Sequence, residues 1–319
     1  MKNVDLNYFP GWTRKSVTFT IDDGNIKMDK KFIDIVKPAG IVGTFNLHST
    51  KARSPQEYRD FYRGFEIANH CKYHPRAFAE GQKYIIASEP LNRETSESYT
   101  DENPIVYKSE AENVYYIHTN KNRIKPDGWA HICEPEVYLQ CADASRRELE
   151  EIFGEGSVKG FVWPYGMQPN PKLHEALRAR GYNSLRRTGA VLGSKGYALP
   201  DDRGDWSYTA HNVTFLAEME KYEAYPDDGE LKFFSFGVHS IDFERSENWC
   251  DLVAFAEKYG NRPEDYYYAS VSDIFEYEDA VKSVCVTDTE ITNPSDRTLF
   301  IKVNGKRVTL APKSTYQLS

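Results

Sequence analysis

The chain has 319 residues, 40% hydrophobic and 28% charged, with a net charge of −8 and a pI near 5.6. That length and balance suit a globular protein with a sizeable core; the acidity leaves no basic footprint for nucleic acid and argues mildly against strongly anionic polymers. No stretch is long and apolar enough for a membrane span. Five cysteines (71, 133, 141, 250 and 285) form no regular framework, which predicts free thiols and a reducing compartment. The first residues carry no apolar leader, so a cytoplasmic protein is expected, with secretion after removal of a signal peptide as the alternative.

In chain order, the first clear element is a strand in which Val17, Phe19 and Ile21 alternate with Thr18 and Thr20. Gly24 turns the chain away at once. Asp22 and Asp23 are thereby set side by side at a strand's carboxyl end, where α/β enzymes keep their chemistry. Adjacent carboxylates repel, so one of them needs a cation or a proton. Taken alone, Asp-Asp-Gly is a turn.

Met28, Phe32, Ile35 and Val36 predict one face of a helix closed by Pro38-Ala39-Gly40, and residues 41–47 a second strand. Ser54-Pro55-Gln56-Glu57 has the form of a capped helix start, followed by Tyr58, Phe61, Tyr62 and Phe65 at helical spacing. A short strand then leads into His70-Cys71-Lys72-Tyr73-His74. Histidines four apart share one side of a helical turn, which Pro75 would end. With a carboxylate they make a three-ligand set for a divalent metal, leaving a position open; a lone pair so spaced more often marks two solvated histidines.

Residues 78–135 show strand-like pieces at 84–87, 105–107 and 114–118 with no helical period, which predicts a β-rich insertion. A helix follows at 143–154, then a strand into Pro164, a helix opened by Asn170-Pro171 and closed by Gly181, and a strand at Asn183-Ser184-Leu185. An aromatic strand at 231–238 ends at His239; a helix at 247–260, a strand at 266–270 and a last helix capped by Ser272 complete the pattern. Repeated βα units imply a parallel sheet, open or closed. From about Ser283 the residues change to β pattern, with Asn304-Gly305 as a hairpin turn. The expected division is a catalytic domain at 1–282 and a small C-terminal β-appendage at 283–319.

Five segments in this order, Thr20-Ile21-Asp22-Asp23-Gly24, His70 to His74, Val162-Trp163-Pro164-Tyr165-Gly166, Asp202-Arg203-Gly204-Asp205-Trp206 and Phe236-Gly237-Val238-His239, resemble the five motifs of the polysaccharide deacetylase family (carbohydrate esterase family four). Two departures stand out: Cys71 where the family has Ser or Thr, and Val162 where it usually has Arg. The resemblance implies a distorted, incomplete (β/α) barrel of about seven parallel strands. It implies Asp23, His70 and His74 as ligands of one divalent metal, with zinc favoured and cobalt, nickel or manganese as alternatives.

The same resemblance makes Asp22 the general base toward water activated by the metal, the backbone N–H of Tyr165 the oxyanion donor, and His239 the general acid. Asp205, or Asp202, is expected to orient His239, and Trp206, with Trp163, to wall the substrate pocket. Arg186 or Arg187 is the expected substitute for the arginine missing at 162. Cys71 is set aside as a ligand, because its neighbour on a helical turn points elsewhere. The insertion, with Trp129, His118 and His131, is expected to lie over or beside the cleft and contact sugar. The implied activity is removal of N-acetyl groups from an amino-sugar oligomer or polymer, so the expected partner is an acetylated carbohydrate. O-acetyl ester or small-amide hydrolysis, and a non-catalytic carbohydrate-binding relative, are the alternatives.

Overall fold

Residues 3–48, 53–78, 85–87, 105–109, 114–118, 129–166, 170–187 and 197–318 are described by a computed structural model of the chain. Six parallel strands form a curled sheet in the order Ser184–Arg186, Gly160–Val162, Glu66–Asn69, Thr44–Leu47, Lys15–Asp22 and Lys232–His239. A seventh, Tyr266–Tyr268, runs parallel to the first half of Lys15–Asp22. Among the described residues, the two outer strands are joined by an intervening segment, in which Trp206 bridges to Arg186 and Ala210 to Phe236. The result is a distorted, incomplete (β/α) barrel.

The alternation in Lys15–Asp22 does not divide core from solvent, since Ser16 to Asp22 are all buried. It divides the apolar helix layer from a polar barrel interior, as expected of a parallel strand covered on both faces. Phe19 packs against Phe32, Phe45 and Phe236. On the other side Ser16 Oγ donates to the Lys232 carbonyl, and Asn46 Nδ2 to Thr20 Oγ1. Thr20, Thr44, Asn46, Glu66 and Ser184 line a small internal cavity of about 10 Å³, room for about one water.

The helices follow their caps. Ile26–Val36 begins at Asn25, whose side chain accepts from Met28 N–H, and buries Asp29, Phe32, Ile33 and Val36, a face rotated from the expected one. Pro55–Phe61 carries the reciprocal Ser54–Glu57 cap. Pro135–Phe153 starts well before the expected 143, because Pro135 opens it and Tyr138, Cys141 and Ala142 already face the core. The last helix, Val271–Lys282, is capped by Ser270 and not by Ser272. Elements that escaped the sequence pattern include Val4–Tyr8, Phe215–Ala224 and Ser240–Arg245, together with the strands Trp129–Cys133, Glu290–Asn293 and Ser314–Gln317.

The β-rich insertion is a sheet in the order Arg76–Ala77, Trp129–Cys133, Val114–His118, Ile105–Ser109 and Ile85–Ala87. The C-terminal hairpin, Leu299–Val303 with Lys306–Leu310, turns at Asn304 and Gly305, both at positive φ. Val4–Tyr8 adds to it antiparallel. Cys285–Val286, Glu290–Asn293 and Ser314–Gln317 make a second small sheet.

Gly237, two residues before His239, is where a side chain would collide: its Cβ would lie 2.1 Å from Cδ1 of Tyr208. The contact falls near the base of that ring, which itself lies beside the Arg186 guanidinium. Gly237→Ala is expected to lower stability by about 1–3 kcal/mol, the usual cost of overpacking, measured as a fall in midpoint of thermal or denaturant unfolding. An unchanged midpoint would mean that Tyr208 moves freely.

Candidate active site

The parallel register builds the site. Asp22, Asn46 and His239 are aligned partners at the ends of three neighbouring strands. His70 follows the end of Glu66–Asn69, and Arg186 is the register partner of Val162. All of these groups therefore emerge at the carboxyl face of the sheet, where barrel enzymes place their chemistry.

Asp23, at φ 75, turns its side chain toward both histidines of the second motif. Its Oδ1 lies 3.4 Å from His70 Nε2 and 3.6 Å from His74 Nε2, and the two imidazole nitrogens are 3.1 Å apart. The helical turn expected for His70 to His74 is absent. Cys71, Tyr73 and His74 all have positive φ, and a hydrogen bond from His74 N to Cys71 O closes a tight turn. The imidazoles converge by this route instead. Cys71 points into the core, with Sγ toward the Tyr138 carbonyl, so it is no ligand, for a reason other than helical geometry.

These three residues fit a divalent metal on chemical grounds. His70 Nδ1 lies 2.9 Å from the Val162 carbonyl, which only accepts, so the proton sits on Nδ1 and Nε2 presents its lone pair. Burial, with His70 adding to it against Asp23, holds the His74 pKa well below the usual histidine range and keeps the ring neutral. Asp23 Oδ1 is buried without a hydrogen-bond donor. Burial works against its ionised form, but His70, His74 and His239 outweigh that and hold it far below the usual carboxylate range. Three donor atoms within 4.8 Å of one another thus face a common point.

Asp22 stands beside this cluster. Asn46 Nδ2 donates to its Oδ1 at 2.7 Å, and Arg186 Nη2 donates to the same oxygen. Burial pushes its pKa up, yet Arg186, His70 and His239 together hold it below the usual range. Arg186, fully buried, thus takes up the place left by Val162, one strand over; Arg187 pairs with Asp205 instead.

On the opposite side His239 Nδ1 is 2.8 Å from Asp242 Oδ2, and its Nε2 is 3.5 Å from Asp23 Oδ2. Burial disfavours its charged form, but Asp242, Asp23 and Asp22 raise its pKa to about 9. The expected orienting residue is therefore corrected: Asp205 is held by Arg187 and Asp202 by Arg178, and Asp242 serves His239. A carboxylate three residues after His239, at the start of Ser240–Arg245, was the signal available in the sequence.

Both tryptophans assigned to the pocket are core residues. Trp163 is 2% exposed and stacks on Tyr138; Trp206 is 2% exposed, packs on Phe233 and Phe275, and donates its indole N–H to Ser184 Oγ. Tyr165 lies at the site with φ 60, its ring 4.6 Å from that of His74. The strand carrying Trp129 pairs it with His118, but the side chains of Trp129, His118 and His131 lie outside the described residues. His48, at the end of Thr44–Leu47, was missed; its ring is 5.4 Å from that of His74.

A profile of the polysaccharide deacetylase family matches residues 11–185. No curated protein sequence matches the chain. Solved structures do: a CE4 esterase from Streptococcus mutans is 14% identical over 81% of this chain and 86% of its own, with a TM-score of 0.44. A family 4 carbohydrate esterase from Bacillus anthracis is 14% identical over 83% and 84%, with a TM-score of 0.42. A peptidoglycan deacetylase from Bacillus subtilis is 14% identical over 84% and 94%, with a TM-score of 0.41. With the profile spanning more than half of its length, the chain belongs to the polysaccharide deacetylase family.

Proposed function

We propose that this protein is a metal-dependent hydrolase that removes N-acetyl groups from an amino-sugar oligomer or polymer. The observation that carries the reading is the placement of Asp22, paired with Arg186, and His239, paired with Asp242, beside one three-donor cluster. Asp23, His70 and His74 would hold the metal, with zinc suited to two imidazoles and a carboxylate. Such an ion, when bound, supplies Lewis acidity: it lowers the pKa of water and polarises an acetyl carbonyl.

The remaining steps belong to the chain's own groups. Asp22, kept ionised by Arg186, takes the proton of the attacking water. Asn46 fixes the same carboxylate from the other side and limits its rotation. The backbone N–H of Tyr165 is the proposed donor to the developing oxyanion. His239, charged up to about pH 9, delivers a proton to the leaving nitrogen. An amine leaves only when protonated, so an imidazolium that keeps its proton through neutrality and is held by Asp242 supports amide over ester cleavage.

Three outcomes test this reading. The purified protein is expected to carry about one divalent metal per chain, and His70→Ala to lose it while keeping its unfolding transition; elemental analysis showing full metal in that variant would overturn the ligand set. Asp22→Asn is expected to keep the metal and lose at least about a hundredfold in acetate release, the scale of a lost general base. Near-normal turnover there would assign the proton transfer to another group. Finally, the active form of His239 is the protonated one, and a raised pKa extends that form upward, so kcat/KM should hold through neutrality and fall as pH rises through about 9. Asp242→Asn removes the carboxylate that most favours the charged ring and should move this alkaline limb to lower pH, read from the kcat/KM profile of the variant; an unmoved limb would show that another group sets it.

A further inference from the structure

Arg76 lies two residues past His74, the end of the second motif, on the first strand of the insertion. Its guanidinium carbon lies 4.8 Å from the centre of the Tyr165 ring, and that ring in turn contacts His74 at 4.6 Å. Tyr165 feels both ends of this arrangement: burial pushes its hydroxyl up to about 12, with Arg76 opposing and Asp23 adding to the shift. A fixed cation therefore stands one aromatic ring away from the metal-ligand cluster.

The cation is incompletely satisfied. Arg76 Nε is buried and has no hydrogen-bond partner. Part-buried arginines elsewhere, Arg14, Arg203, Arg262 and Arg297, each hold a carboxylate; among the described residues none pairs with Arg76. A buried N–H on a charged group is expensive to leave unpaired. Nε and the neighbouring Nη form one edge of the guanidinium fork, a shape that matches the two oxygens of a carboxylate. Stacking on Tyr165 keeps that edge from swinging away.

We infer that Arg76 is a substrate-binding residue that recognises a carboxylate on the acetylated sugar, about one ring away from the acetyl group to be removed. The inference rests on the reading of the centre as an amino-sugar deacetylase and narrows its substrate class to acetamido sugars bearing an acid substituent. The chain's overall acidity is no obstacle, because one part-buried cation addresses one carboxylate and not a polyanion.

A matched pair of sugars tests it: N-acetylglucosamine, and N-acetylmuramic acid, the same sugar carrying a lactyl ether with a carboxylate. Dissociation constants are measured by NMR titration of the metal-loaded protein, with acetate alone as a third ligand. The expected result is about tenfold or more tighter binding of the acidic sugar, the scale of a charge-assisted hydrogen bond. Arg76→Gln should collapse the ratio toward one, and Arg76→Lys should keep part of it, with thermal melts reporting the fold of each variant. Equal or undetectable binding of both sugars by the wild-type protein, or a preference that survives Arg76→Gln, overturns the assignment. So does Arg76-dependent binding of acetate with no gain from the sugar, which would make the site one for the released product. These affinities are separable from the parent reading, which fails instead if the metal-loaded enzyme releases acetate from no acetamido sugar, neutral or acidic.

Discussion

Eight consecutive register pairs lock Lys15–Asp22 to Lys232–His239, and the active site depends on that alignment. In a parallel pair a shift of one residue would turn every side chain to the opposite face. Asp22 would then leave the barrel interior and His239 would no longer stand level with it. The register is held from both sides of the sheet. Phenylalanines 19 and 236 meet in the helix layer, and the Ser16 hydroxyl grips the Lys232 carbonyl within the barrel. The spacing of Asp22 and His239 is thus fixed by strand pairing and does not depend on the polar contacts at the site.

The second constraint is electrostatic. Asp22 and Arg186 are both removed from solvent, and a buried ion pair of this kind rarely adds net stability, because desolvation offsets the attraction. Breaking it from one side would strand a charge, so the pair is costly to alter even where it contributes little to folding. Val162 and Arg186 are register partners on adjacent strands, so the guanidinium that pairs with Asp22 stands one strand over from the motif position where an arginine was expected.

Strand ends, caps and the hairpin turn were legible in the sequence because each rests on local chemistry: alternation into Asp22, the Ser54–Glu57 reciprocal cap, Asn304-Gly305. The convergence of Asp23, His70 and His74 was legible through the family motifs, though its local conformation was not. Spacing of four suggested a helical turn, while the chain adopts left-handed backbone at Cys71, Tyr73 and His74, which no side-chain pattern announces. The two tryptophans illustrate a different failure. Residue type says that an indole can stack on a sugar, but only packing tells that Trp163 and Trp206 are enclosed. Asp205, or Asp202, was the expected partner of His239 and Asp242 was overlooked; Arg187 claims Asp205 and Arg178 claims Asp202, while Asp242 lies one helical turn past the histidine.

The last motif tryptophan has one more neighbour. Trp206 belongs to a buried cluster that runs through Phe9, Phe233 and Phe275 to Ile291, Leu299, Ile301 and Leu310 of the C-terminal sheets. Its backbone meanwhile bridges to Arg186, and its carbonyl accepts from Arg187 N–H. Val4–Tyr8, from the other extremity of the described chain, is laid along the same hairpin. The open seam of the barrel is therefore upholstered from outside: the appendage and the first strand press together on the segment whose bridges connect the edge strands. A strain applied at this outer seam, by a binding partner or by loss of the hairpin, would travel through the Trp206 indole to the arginine that pairs with Asp22.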